Sequence, residues 1–208
     1  MKKKIIILGS TGSIGQNTLS IIKKDKKKFN VQLLSTNKNI NKVFQQAREF
    51  NVKNIIINDY DKFILAKKKY NKHDIKFYNS FSIIDKLFNK KEIFYSMISI
   101  IGIDGLKPSL KLIKYSKNIA IVNKESIICG WSLIKNKLIK YKTNFIPIDS
   151  EHFSIYSLIE NNQKNNIEQL YITASGGPFL KKSIKGFKYI KKKEALNHPN
   201  WEMGAKIS

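Results

Sequence analysis

The chain has one cysteine, one arginine and four prolines in 208 residues, and each scarcity excludes something. Cys129, being alone, rules out a disulfide framework and a thiolate metal cluster, and it fits a reducing, cytoplasmic compartment. No apolar run approaches the roughly 20 residues of a membrane helix, so no membrane segment is expected. Lys2 to Lys4 precede only four apolar residues, and a glycine loop follows where a cleavage site would stand, which argues against a signal peptide. Acidic residues are few: 15 against 39 basic ones, for a formal charge of +24. Base-specific recognition leans on bidentate arginine, and Arg48 stands alone. The lysine runs at Lys26–Lys28, Lys67–Lys69 and Lys191–Lys193 are scattered, with no aromatic stacking platform beside them. No specific nucleic-acid partner is expected. The charge reads as solvated surface that raises affinity for polyanions and phosphate-bearing small molecules.

What is present begins in the first fifteen residues. Ile5 to Leu8 form a short apolar run, read as a fully buried parallel strand, and Gly9, Gly12 and Gly15 follow. Ile14, Thr18, Leu19, Ile21 and Ile22 then recur at helical spacing. Strand, glycine loop and helix in that order make a phosphate cradle, because glycine admits close backbone approach and free amides at the helix start face the anion. The spacing G-x-x-G-x-x-G is not the commoner G-x-G-x-x-G, so its position after a buried strand carries the inference.

Further strands are expected at Val31–Leu34, Asn54–Ile57, Ile75–Tyr78, Tyr95–Ile101, Ile119–Val122 and Phe145–Ile148, with amphipathic helices between them. This alternation predicts an α/β fold, a doubly wound parallel sheet covered on both faces, over residues 1–148. From residue 149 the texture changes. A helix over Glu151–Ile159, a strand over Leu170–Thr173 and a turn at Ser175–Pro178 read as the start of a second, α+β domain spanning 149–208 and incomplete.

Two features bear on ligands. The second strand runs into Thr36-Asn37-Lys38-Asn39, with no carboxylate for ribose hydroxyls and one cation suited to a 2′-phosphate, so NADPH is expected over NADH. Asp149 and Glu151, two residues apart at a strand end, can turn both carboxylates toward one hard cation, Mg²⁺ or Mn²⁺, although Asp149 is equally suited to cap the helix that follows.

Taken together, Gly9-Ser-Thr-Gly-Ser-Ile-Gly15, Asn123-Lys-Glu-Ser126, Asp149-Ser-Glu-His152, Ser175-Gly-Gly-Pro-Phe179 and His198-Pro-Asn-Trp201-x-Met-Gly204 occur in order. The chain thereby resembles the 1-deoxy-D-xylulose 5-phosphate reductoisomerases, NADPH- and metal-dependent enzymes of isoprenoid biosynthesis, from Lys4 to Ser208. The resemblance implies that Thr11, Gly12, Ser13 and Ile14 hold the NADPH pyrophosphate. It implies that Asn37, Lys38 and Asn39 serve the 2′-phosphate side, Asn37 standing where the family has glycine and tolerating positive φ. It places Asn123, Glu125 and Gly204 at the cofactor, and Lys124, Ser150, Glu151, Ser175, His198 and Trp201 at a sugar-phosphate substrate. Asp149 and Glu151 match metal ligands, Lys124, Asp149 and Glu151 the catalytic set, and Trp201 with Met203 a flap over the site. The family continues into a third metal carboxylate and further phosphate ligands, so the chain is expected to be an N-terminal portion, inactive alone and homodimeric at full length. On the residues alone, three readings stay open beside this: a metal-free NADP-dependent oxidoreductase, a basic polyanion-binding protein on the same scaffold, and a non-functional truncated product.

Overall fold

The computed structural model describes residues 1–89, 92–148, 150–160, 167–172 and 177–197. Contacts divide the chain into two compact units, Met1–Phe153 and Ser154–Ser208. The first unit carries β1 (Lys3–Leu8), α1 (Ser13–Lys24), β2 (Phe29–Thr36), α2 (Ile40–Phe50), β3 (Asn54–Ile57), α3 (Tyr60–Lys69) and β4 (Lys76–Tyr78). It continues with α4 (Ile84–Leu87), β5 (Ile93–Ile98), α5 (Leu106–Leu112), β6 (Ser116–Ile121), α6 (Lys124–Tyr141) and β7 (Asn144–Pro147), and α7 (Ser150–Glu160) begins in it.

The seven strands form one sheet in the order β4-β3-β2-β1-β5-β6-β7. Every pairing is parallel. Parallel strands need crossovers, crossovers put helices on both faces, and a strand covered on both faces reads as a near-continuous apolar run. β1 shows the consequence: Ile5 is 4% exposed, and Ile6, Ile7 and Leu8 are fully buried. The pleat sends Ile5 and Ile7 into one core with Leu19, Leu34, Val43 and Ile55, and Ile6 and Leu8 into the other with Leu33, Ile56, Ile98 and Leu112.

All seven expected strands of the first unit are present, with one difference that matters. β5 ends at Ile98 rather than Ile101. Ser99 to Ile101 leave the sheet and line a cleft at its edge. In the second unit, Gly177–Phe179 and Ile184–Tyr189 are 3₁₀ turns, followed by the short helix α8 (Lys192–Ala195). Lys182 pairs with Glu194 at 3.2 Å across it. The strand expected at Leu170–Thr173 does not form over Leu170–Ile172, and Thr173 lies outside the described residues. Leu170, Tyr171 and Ile172 are all exposed, and among the described residues they take part in no strand pairing. β-propensity without a pairing edge makes no strand. Among the described residues no helix is long and apolar enough to cross a membrane.

At the amino end of β5, Lys4 of β1 donates to Glu92 Oε1, and the Asn89 amide donates to Oε2 at 2.9 Å. The lysine first, then that amide, hold the Glu92 carboxyl below the usual glutamate range. A depressed carboxyl stabilises the fold above its unfolded-state pKa, and the contribution is lost as pH falls through the folded one. Glu92→Gln should therefore lower stability by about 0.5–1 kcal/mol at neutral pH. Urea unfolding from about pH 7 down to about pH 4 should show the difference from wild type shrinking on acidification. A gap that stays constant with pH would assign the loss to packing.

Candidate dinucleotide cleft

The strand order reverses between β1 and β5, and such a switch point opens a crevice beyond the carboxyl ends of the strands. A cleft of about 270 Å³ lies there, lined by Gly9, Thr11 and Gly12 from the first loop, Ser35 to Asn37 from the end of β2, and Ser99 to Ile101 after β5.

The three loop glycines answer to different demands. Gly9 has φ +79°, and a Cβ there would lie 2.5 Å from the Ser99 carbonyl oxygen, so close strand packing requires glycine. A Cβ on Gly15 would collide with the Gly9 carbonyl and the Ser10 backbone. Gly12 is in extended conformation, and a Cβ there would meet only the Gly9 oxygen at an ordinary 3.5 Å. The protein itself therefore does not require glycine at position 12. The space a side chain would take there belongs to the cleft.

Gly12 is also the N-cap of α1 and offers no side chain to cap it. Among the described residues the amides of Ser13, Ile14 and Gly15 have no partner, the helix's first backbone bond being Gln16 to Gly12 at 2.9 Å. Free amides at the positive end of a 12-residue helix favour an anion. The loop is held firmly beneath. The Gly9 amide donates to Ser35 Oγ at 2.9 Å, and Thr11 and Thr36 share a hydroxyl bond at 2.8 Å.

At the other end of the cleft, Asn39 Oδ1 accepts from the Lys42 amide at 3.1 Å and so caps α2. Asn37 and Lys38 are exposed. The left-handed conformation that Asn37 tolerates is not used: Asn51 and Lys142 are the non-glycine residues with positive φ among those described. Lys38 Nζ lies 3.8 Å from Asp59 Oδ2, a carboxylate the sequence reading did not bring in, whose Oδ1 caps α3. Separation along the chain hid that pairing.

Asn123 follows β6 and is 6% exposed. Its Nδ2 donates to the Gly102 carbonyl at 2.5 Å and to Ser126 Oγ, while Oδ1 is buried without a partner among the described residues. It steadies the loop after β5. Lys124 and Glu125 open α6 and are exposed, as are Glu151 and His152 in the first turn of α7. Ser150 begins α7. Asp149, Ser175, His198, Trp201, Met203 and Gly204 lie outside the described residues. Among the described residues no group of three or more His, Cys, Asp or Glu is placed to hold a metal ion.

The family model of 1-deoxy-D-xylulose 5-phosphate reductoisomerase matches residues 5–130, more than half of the chain. The chain belongs to this family. The model of the reductoisomerase C-terminal domain matches residues 145–208. A reductoisomerase of Pelagibacter ubique is 56% identical over 207 residues, covering 99% of this chain and 53% of the relative. One from Phocaeicola vulgatus is 36% identical, covering 100% and 54% respectively. The chain thus spans about half the length of the curated relatives it matches. Among solved structures, the Zymomonas mobilis reductoisomerase in complex with NADPH superposes with a TM-score of 0.82 at 28% identity, over 96% of this chain and 52% of that one. A reductoisomerase in complex with NADPH, fosmidomycin and magnesium gives 0.76 at 30% identity, over 98% and 52%.

The glycines of this loop should separate by stability. Gly9→Ala combines a left-handed backbone with a collision against backbone and is expected to lose about 3 kcal/mol. Gly12→Ala, which meets no collision and loses only the N-cap preference for glycine, should cost no more than about 1 kcal/mol. Thermal and urea unfolding measure both, and equal losses would contradict the division drawn here.

Proposed function

We propose that the chain binds NADPH in the β1–β5 cleft and is the cofactor-binding part, with the start of the catalytic part, of a reductoisomerase. The reaction is the conversion of 1-deoxy-D-xylulose 5-phosphate to 2-C-methyl-D-erythritol 4-phosphate. The observation that carries the reading is Gly12: a glycine the packing does not demand, at an uncapped helix start, on the wall of the cleft.

In this reading Thr11, Gly12, Ser13 and Ile14 hold the pyrophosphate, the free amides of Ser13 and Ile14 facing it, while Asn37, Lys38 and Asn39 receive the adenosine 2′-phosphate side. Asn123, Glu125 and Gly204 serve the remainder of the cofactor. Lys124, Ser150, Glu151, Ser175, His198 and Trp201 contact the sugar phosphate, and Asp149 with Glu151 contributes to a Mg²⁺ or Mn²⁺ site. Bound there, the dinucleotide supplies hydride and the cation Lewis acidity. Lys124 sets a positive charge at the substrate, where it stabilises negative charge developing on oxygen. Carboxylates without thiolates suit a hard cation. Residues 1–148 and 149–208 are the two domains of this reading. A cytoplasmic location and a homodimer complete it.

Titration with NADPH and NADH, followed by nicotinamide fluorescence, tests the reading. NADPH should bind more tightly. Lys38→Ala should weaken it about fivefold, modestly because Lys38 is exposed and lies beside Asp59, and should leave NADH nearly unchanged. Gly12→Val, which fills the cradle, should weaken both cofactors at least tenfold in a folded protein. Equal affinities for the two cofactors, or undiminished binding by Gly12→Val, would sink it.

A further inference from the structure

Position 46 lies on the buried face of α2, among Ile40, Val43 and Ala47, where an apolar side chain would be expected. It is glutamine, 5% exposed. A buried amide persists in such a place when both of its polar ends are satisfied. Here one residue satisfies both. Ser10 Oγ donates to Gln46 Oε1 at 2.8 Å, and Gln46 Nε2 donates to the Ser10 carbonyl at 2.9 Å. Ser10 is itself fully buried, and its amide donates to the Ser35 carbonyl at 2.9 Å.

We propose that Gln46 is a positioning residue for the dinucleotide, locking the glycine loop to α2 through its two-point bond with Ser10. The proposal rests on the cofactor reading above. Ser10 packs against Gly15 so closely that no Cβ fits between them. Any shift of Ser10 therefore moves the start of α1, where the free amides stand. α2 begins directly after Asn37 to Asn39, so the same link fixes the distance between the two ends of the cleft. Without the amide, the Ser10 carbonyl would be buried with no donor, and the loop would relax toward water to satisfy it.

The amide's two-sided chemistry supplies the test. Gln46→Leu keeps the bulk and removes both bonds. Gln46→Glu keeps an acceptor for Ser10 Oγ but, when ionised, sets an oxygen against the Ser10 carbonyl; protonation restores the donor. Calorimetric titration with NADP⁺ and with adenosine 2′-monophosphate, which lacks the pyrophosphate, separates the two ends of the cleft. Thermal melts confirm folding. Gln46→Leu should weaken NADP⁺ about tenfold at every pH and leave adenosine 2′-monophosphate within about twofold. Gln46→Glu should show the same deficit near pH 8 and recover toward wild type by about pH 5.5, since burial raises a carboxyl pKa. Comparison with wild type at each pH removes the titration of the cofactor's own phosphate.

Unchanged NADP⁺ affinity in Gln46→Leu overturns the proposal, and so does a loss shared equally by adenosine 2′-monophosphate. If Gln46→Leu does not fold, the pH profile of Gln46→Glu decides, a flat profile counting against it. A wild type that binds neither ligand overturns the cofactor reading and this proposal with it, an outcome distinct from normal wild-type binding with an indifferent variant.

Discussion

The cleft depends on how closely the exits of β1 and β5 approach. Ser99 makes the junction: its amide donates to the Leu8 carbonyl at 2.8 Å, and its hydroxyl lies 2.7 Å from the same oxygen and 3.1 Å from that of Gly9. Only a residue without a side chain fits at position 9. Because the strand order reverses at this junction, the crossovers lead away on either side of it and leave the crevice open. The glycine loop, the end of β2 and the segment after β5 all take their places from this contact.

Two buried side-chain amides then hold the walls. Gln46 grips the glycine loop from α2, and Asn123 grips Gly102 from the start of α6. Both are buried, Gln46 at 5% and Asn123 at 6% exposure. A cleft of free amides needs such support, because the groups facing the anion are left unbonded by the protein and cannot hold themselves in place.

Much of the fold was legible because parallel strands buried on both faces read as near-continuous apolar runs, as at Ile5–Leu8 and Ile55–Ile57. Leu170–Ile172 carries the same kind of composition and forms no strand, since pairing is a property of neighbours and not of the segment. The loop glycines were legible as a group, but their division was not. Gly9 and Gly15 are explained by atoms at Ser99 and Ser10, whereas a Cβ on Gly12 would meet nothing closer than ordinary contact. Gln46 left one faint trace, a polar residue on an otherwise apolar helix face. Its partner Ser10, 36 residues earlier, could not be named without the fold.

By itself, the sequence determined the alternation of strand and helix, the phosphate-type loop at the first crossover and the family, because hydrophobic period and ordered motifs are local along the chain. The tertiary structure alone decided which loop glycine the packing does not demand, that Asn37 needs no left-handed backbone, that Lys38 lies against Asp59, and that Asn123 turns inward to Gly102. The last two are distances between residues far apart in sequence. Such distances come into being only when the sheet closes and buried polar groups must find their partners within it.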